Sequence, residues 1–541
     1  MILIDRHTSS DDIIALLLKN RHISPKKISE FLSPRAPHQL EPKVFGVASK
    51  QLDQAVAQIK QTVKNHQNVL IYGDYDVDGI SATAILWQAL YSQGAQVIPF
   101  VPDRELDGYG IKSESFFRFQ QQKNIHFDLL ITVDNGIVAH DQLKPILDAG
   151  TQIIVIDHHA AGPKLPLPII TVHSTKISGA ALSWLVAQKI YPHADLGLAA
   201  LGTVADCLPL IDINRNIVFH GLQSLRLNPN FGIKKLISLS GIKPDSISTY
   251  DLGFVLGPRI NAVGRLSNPT DALRLLCSQN PVQASKFAQT LDDYNYQRQQ
   301  IQQQSLEVAD NLVQKNKNKL IFVADPSFHP GIIGLIAGRL TEKYYLPSVI
   351  ISQTDDISKG SCRSIKELNI IDTLREFSHL FISLGGHSGA AGFSISTANI
   401  PQLKKNLTRF INRKLAGKTL KPTKFIDAEM KLNAVTVPNC RLLNQLEPFG
   451  IDNPEPVFLF KQVKVVEKRL LGPAQNHLKL KVDDPTTSGK ENILVDCIAF
   501  KKGDWSQKIN VGDLIDFTAS LNLNSWNGQT FPQLVVKEIL Q

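Results

Sequence analysis

The 541-residue sequence is poor in cysteine: Cys207, Cys277, Cys362, Cys440 and Cys497 are the whole complement. They are scattered, odd in number and never paired as C-x-x-C. That spacing excludes a disulfide framework and a thiolate metal site and leaves reduced thiols. No apolar run reaches membrane-spanning length, and the opening MILIDRHTSSDD carries acidic residues where a secretory signal has its apolar core. A cytoplasmic protein with no membrane partner is therefore expected. Solenoid repeats and long low-complexity tracts are also missing. With 43% hydrophobic and 20% charged residues, the composition excludes disorder and fibrous classes. Charge is only mildly one-sided, the 58 Lys and Arg against 49 Asp and Glu giving +9. Alone, that surplus is a weak pointer to a polyanionic partner.

What is present divides the chain into segments, since its length exceeds what one hydrophobic core supports. Residues 1–60 show helical apolar spacing and read as a lead-in. Over 61–280, the runs NVLIYG, AQVIPFVP, FDLLITV and TQIIVI alternate with helical stretches, which implies a parallel sheet in a βαβ arrangement. Residues 281–316 form a glutamine-rich segment with Leu291, Tyr294, Ile301, Val308 and Leu312 on a three-four spacing. One helix roughly 50 Å long is expected there as a connector, with a coiled-coil dimer as the alternative. A second, smaller α/β unit occupies 317–420. From 421 to 541, short β-rich runs between Gly, Asn and Asp turns predict a small antiparallel barrel of the OB type.

The most informative residues lie at the carboxyl ends of the expected strands. Asp74, Asp76 and Asp78 stand in DYDVDG, Asp134 in DNG, Asp157, His158 and His159 in DHH, and Asp206 in GTVADCLPL. In an open parallel sheet that edge is the ligand crevice, so these segments converge on one pocket. Carboxylates crowded there repel one another unless cations intervene. Alternating aspartates with histidine suit manganese or magnesium, and two divalent ions could polarise a phosphate and activate water. Taken singly, each piece has a plainer explanation. A D-x-D-x-D run is a solvated turn, Asp134 or Asp206 a helix cap, and an HH pair a surface feature. Together those explanations require several independent coincidences.

DYDVDG, DNG, DHH and GTVADCLPL, in this order, resemble the signature motifs of the DHH phosphoesterases. PDRELDGYG (Pro102 to Gly110), DLGFVLGPRINAVGRL (Asp251 to Leu266), HPGIIGLIAGRL (His329 to Leu340), KGSCRSI (Lys359 to Ile365) and GGHSGAAGF (Gly385 to Phe393) resemble further blocks of RecJ exonucleases and their DHHA1 domain. EPFGIDNPEP (Glu447 to Pro456) and the tail resemble the OB domain of the same family. The stretch after DHH departs from the family, lacking the usual asparagine-proline step.

The resemblance implies that Asp76, Asp78, Asp134, His158 and Asp206 ligate two divalent metals, with Asp74 a further ligand or a supporting acid. By the same carry-over His159 faces the scissile phosphate, or serves as a further ligand, and Asp157 orients a neighbouring histidine. Arg104, Ser361 and Arg363 match positions that hold a terminal 5′ phosphate, a task suited to guanidinium forks and a hydroxyl. Arg259 and Asn261 look like phosphate contacts near the scissile bond, and His387 resembles a DHHA1 substrate contact. Viewed alone, each arginine reads as a surface ion pair. Tyr109 reads equally as a base-stacking ring or as core. The implied activity is 5′ to 3′ hydrolysis of single-stranded DNA to 5′ mononucleotides, in recombination and repair. The enzyme would be a monomer, with single-stranded-DNA-binding protein and a repair helicase as candidate partners. A DHH phosphodiesterase of short oligonucleotides or cyclic dinucleotides, and a catalytically silent DNA-binding scaffold, are the rival readings.

Overall fold

The four apolar runs form strands β1 (Asn68–Tyr72), β2 (Gln96–Phe100), β3 (Leu129–Val133) and β4 (Gln152–Asp157). The computed structural model describes residues 2–3, 10–104, 106–108, 110–162, 167–313, 318–485, 493–526 and 528–540. A fifth strand, β5 (Ile170–His173), which the sequence pattern does not reveal, joins them in the order β2-β1-β3-β4-β5, all parallel. Successive side chains alternate between faces. Val69, Ile71, Ile131 and Ile154 enter one core, while Leu70, Leu130, Ile153 and Val155 enter the other. Strand order reverses at β1, so the crevice of this doubly wound sheet opens beyond the carboxyl ends of β1 and β3.

Helices α1 (Val77–Tyr91), α2 (Gly179–Ala187), α3 (Leu196–Ala205), α4 (Asp212–Leu227) and α5 (Gly257–Leu266) complete the first lobe. Helix α6 (Pro281–Val313) follows with 33 residues, about 50 Å at the usual helical rise. Its first half places Ala284, Ala288 and Leu291 in the first-lobe core, and its last turns place Ala309 and Val313 in the second. Of the expected stripe, Leu291, Tyr294 and Ile301 pack within the chain, whereas Val308 and Leu312 are exposed, because Ala309 and Val313 turn the inward face there. The expected end of that connector, residue 316, lies outside the described residues.

The second lobe is a mixed sheet of β6 (Ile321–Asp325), β7 (Ser348–Ser352), β8 (Ile357–Arg363), β9 (Phe381–His387) and β10 (Ala390–Ser396), ordered β9-β10-β8-β7-β6. Helix α7 (Ile333–Tyr344) packs on it. In the last unit, β11 (Phe458–Leu471), β12 (His477–Asp483), β13 (Val495–Ala499), β14 (Leu514–Trp526) and β15 (Gln529–Leu540) pair as β11-β12-β13-β15-β14, and β14 returns to β11. The barrel closes as expected. One of its pairings, β13 with β15, is parallel rather than antiparallel.

Among the described residues, the first sixty form no core of their own. Ile13, Leu16, Leu17, Leu18 and Phe31 pack into the barrel's core, whereas Phe45, Val47, Leu52 and Ile59 belong to the first lobe. Arg215 of α4, 1% exposed, clasps this composite body to the first lobe. Its Nε donates to the Phe31 carbonyl at 2.8 Å, Nη1 to Leu446 at 2.9 Å, and Nη2 to Glu447 at 2.6 Å and Gln445 at 3.3 Å. The guanidinium carbon also lies 3.9 Å from the Phe31 ring centroid. Removing a buried cation strands every acceptor it served. Arg215→Ala is accordingly expected to cost on the order of 3 kcal/mol in urea unfolding. Lys27→Ala, which breaks the exposed pair with Asp212, is expected to cost less than about 1 kcal/mol. Equal losses would contradict the clasp.

Candidate active site

The DYDVDG run turns directly from β1 into α1. Asp76 caps α1 by accepting the Gly79 amide at 3.0 Å, and Asp74 accepts the Tyr75 amide at 2.8 Å. A Cβ at Gly79 would come within 2.6 Å of Asp74, so the turn requires glycine. Asp78 is buried behind them. Its carboxylate accepts the Gly179 amide at 2.7 Å and the Ala180 amide at 3.0 Å, the first two of α2. A helix N-terminus favours negative charge, which explains how this acid tolerates burial.

At the end of β3, Asp134 adopts φ +61°, a left-handed conformation that costs a non-glycine residue roughly 1–2 kcal/mol. Its amide donates to Ile156 at 2.9 Å, and Asn135 Nδ2 donates to the Val133 carbonyl at 2.9 Å, pinning the turn. A Cβ at Gly179 would lie 2.7 Å from Asp134, and one at Gly202 would lie 2.3 Å from Asp78 Oδ1. Glycine therefore lets α2 and α3 approach the acids. Asp206 stands at the carboxyl end of α3. His158 Nε2 lies 3.1 Å from Asp134 Oδ1 and 3.7 Å from both Asp78 and Asp206. Ligand atoms of Asp78, His158 and Asp206 fall within 4.8 Å of one another, as do those of Asp74, Asp76 and Asp134, and of Asp134, His158 and His159.

Electrostatics follow from this crowding. Burial first, then the neighbouring carboxylates, push Asp74 and Asp206 up to about 8 and raise Asp76 and Asp134 above the ordinary range. Burial lowers His158, keeping its imidazole neutral and suited to ligation. His159 is raised by its hydrogen bond to Asp157, 2.8 Å from Nδ1. For Asp157 burial works upward, but the bonds from His159 and from the Ile137 amide outweigh it and leave its carboxyl lowered. Asp157 therefore orients His159.

The donor set fits hard divalent cations. It consists of carboxylate oxygens and imidazole without thiolate, and among the described residues Asp134 Oδ1 is buried, accepts no hydrogen bond of good geometry and faces His158 Nε2 at 3.1 Å, as two ligands of one cation would. Carboxyls with raised pKa hold more protons folded than unfolded, so metal-free stability falls as pH rises from about 4 through about 8. The metal-free Tm is expected to drop between about pH 6 and pH 9, and manganese to raise Tm more at the alkaline end. A metal-free Tm that climbed over this range would contradict the assignment.

A cavity of about 760 Å³ adjoins these acids, between the two lobes. Asp76, Arg104, Ser361 and Arg363 all line it. At its floor α7 begins, and a Cβ at Gly334 would stand 3.1 Å from Ser361 Oγ and 3.5 Å from Arg363 Nη2. Helix N-terminus, hydroxyl and guanidinium together form a seat for an anion. Arg265 and Lys359, which the motifs GPRINAVGRL and KGSCRSI contain but which the sequence alone does not single out, line this cavity too. Arg265 Nη1 donates to the Gly331 carbonyl at 3.1 Å, and burial followed by Arg104, Arg298 and Arg363 lowers it to about 10. The G-R step that closes the motif, Gly264-Arg265, is the available signal.

Other expected contacts sit elsewhere. Arg259 and Asn261 are not among the cavity's lining residues; Arg259 Nε is held by Asp292 of α6 at 2.8 Å and its Nη1 by the Val255 carbonyl at 2.9 Å. That pairing ties α5 to the connector. His387 is exposed at the end of β9, in register with Ala390, which is in register with Arg363. It stands about 10 Å across the sheet from Arg363 by ordinary strand spacing. Tyr109 lies outside the described residues.

Comparison with known proteins agrees with this arrangement. The chain matches the model of the DHH family, N-terminal domain, over residues 68–208, the DHHA1 domain over 304–413 and the RecJ OB domain over 426–538. The single-stranded-DNA-specific exonuclease RecJ of Bacillus subtilis (strain 168) is 32% identical over 505 residues, 90% of this chain and 63% of that protein. This chain thus spans less than two thirds of that relative's length. RecJ of Thermus thermophilus is 30% identical over 517 residues, covering 91% of this chain and 72% of that protein. The crystal structure of the Thermus thermophilus RecJ in complex with Mn²⁺ superposes with a TM-score of 0.80 at 28% identity, over 98% of this chain and 78% of that one.

Proposed function

The chain belongs to the RecJ family, and from that premise we propose that it is a hydrolase that removes nucleotides from the 5′ end of single-stranded DNA. The observation that carries this reading is the cavity shared by Asp76 of the acidic cluster and by Arg104, Ser361 and Arg363. An anion seat beside the acids measures a strand from its phosphorylated end. Cleavage then falls on the next phosphodiester, and a 5′ mononucleotide is the product.

Arg104, Ser361 and Arg363, with the first amides of α7, grip the terminal phosphate, and Arg265 and Lys359 add positive potential around it. Asp76, Asp78, Asp134, His158 and Asp206, supported by Asp74, would hold two divalent ions, manganese or magnesium. When bound, such ions supply Lewis acidity toward a phosphate and lower the pKa of water. His159, set by Asp157 through Nδ1, keeps a proton beside the scissile phosphate. Arg259, held by Asp292, keeps α5 and the connector in register behind the site. His387, on the exposed edge of the same sheet as Arg363, is the contact for the strand beyond the cavity. Asn261 on α5, which does not line that cavity, belongs nearer the scissile phosphate in this reading.

The closed barrel disfavours a phosphodiesterase of very short oligonucleotides, and the complete acid and histidine set disfavours a silent scaffold. A monomer acting in the cytoplasm, in DNA recombination and repair, goes with this reading. No described helix is long and apolar enough to cross a membrane.

Linear 5′-phosphorylated single strands are expected to be degraded with manganese, while circular and 5′-blocked strands survive; efficient loss of circles would defeat the proposal. Arg363→Ala is expected to lower kcat/KM for 5′-phosphorylated strands by about 100-fold, close to the loss of a charge-assisted phosphate contact of about 3 kcal/mol. The same substitution should leave little preference over 5′-hydroxyl ends. A preserved preference for the phosphate would remove Arg363 from that role.

A further inference from the structure

Tyr250 and Phe254 are left open by the fold, 65% and 71% exposed, although large aromatic rings gain most from burial. Their rings stack on each other, with centroids 5.1 Å apart and planes inclined by 25°. Phe254 lies in a π-helical turn, Asp251–Leu256, that leads into α5, and Tyr250 immediately precedes it. Such turns are uncommon and cluster at functional sites.

The inward side of this turn rests on the acidic cluster's own supports. A Cβ at Gly253 would lie 3.4 Å from Val204, and one at Gly257 would lie 3.9 Å from Val77 and 4.0 Å from Ala205. Val77 stands between Asp76 and Asp78, and Ala205 precedes Asp206. On the other flank, Thr249 Oγ1 donates to the Phe449 carbonyl at 2.6 Å, in the loop that leads to the barrel. Helix α5 has ten residues and is about 15 Å long. It begins at the aromatic pair, passes the acids, and ends with Arg265 in the phosphate cavity.

We propose that Tyr250 and Phe254 form a stacking platform for bases of the single strand on the 3′ side of the scissile phosphate. This rests on the nuclease reading above. A strand with its terminal phosphate in the cavity and its next phosphodiester at the acids continues toward the opposite end of α5, where the two rings stand. Ring faces accept any base, which suits an enzyme that must not read sequence. Stacking on each other fixes the rings beforehand and lowers the entropy lost on binding. Two rings offer only a few hundred Å² of apolar surface, short of the roughly 800 Å² per partner of a stable protein interface.

The test is a length series of 5′-phosphorylated oligo(dT), bound by the whole protein with calcium replacing manganese and read by fluorescence anisotropy. Affinity of the parent protein is expected to climb as the strand lengthens past the acids. In the Tyr250→Ala/Phe254→Ala double variant the climb should shrink, leaving the longest strands bound about 10-fold more weakly. Tyr250→Trp should keep the climb, with its indole emission quenched by the strand. A double variant whose length profile superimposes on the parent's overturns the platform and leaves the surface to a protein partner. A parent that binds no length overturns the nuclease reading together with it.

Discussion

Mutual repulsion among buried carboxylates is the constraint on which the first lobe depends. Two like charges about 4 Å apart repel by about 4 kcal/mol at an effective dielectric constant near 20. Such a cluster persists only where each acid has its own compensation. Asp78 finds it in the first amides of α2, and Asp157 in His159 and the Ile137 amide. Asp74, Asp76, Asp134 and Asp206 stay poised to hold protons until cations take their place. The reversal of strand order at β1 brings these acids together, while the left-handed turn at Asp134 and the glycines of α2 and α3 hold them close.

The same repulsion bears on the basic cavity beside the acids, which draws on both lobes. A phosphate beside so much negative charge needs a separate, positive surface. Arg104 and Arg265 come from the first lobe and Ser361, Arg363 and Lys359 from the second, so the cavity exists only while α6 holds the lobes in place. With Ala284 and Leu291 in one core and Ala309 and Val313 in the other, sliding of that helix would disturb both. The Arg259–Asp292 pair adds a polar fix beside the site.

How far the sequence speaks for itself depends on the kind of signal. β1, β3 and β4 are legible because strands buried on both faces are continuous apolar runs, and the acids because they follow those runs directly. β5 is not legible, being four residues after a proline-rich stretch whose residues 163–166 lie outside the described ones. Helices of the lead-in show their apolar spacing but not their partner, since an amphipathic face names no counterpart. Arg215 gives no sign at all, because its acceptors are backbone carbonyls, which carry no side-chain identity. Arg259 shows the opposite hazard: a motif arginine with the ion pair that a bare reading assigns to it.

The packing of Ile13, Leu17 and Phe31 among Phe458, Phe460 and Phe517 also orders events during synthesis. The parallel sheet can close as soon as its own residues leave the ribosome, because domains fold as units. The helix that was made before it must wait, apolar face uncovered, until the barrel emerges hundreds of residues later. Birth order and assembly order run in opposite directions at that seam. A nascent chain halted before the barrel would therefore carry a finished sheet with a greasy, unattached arm.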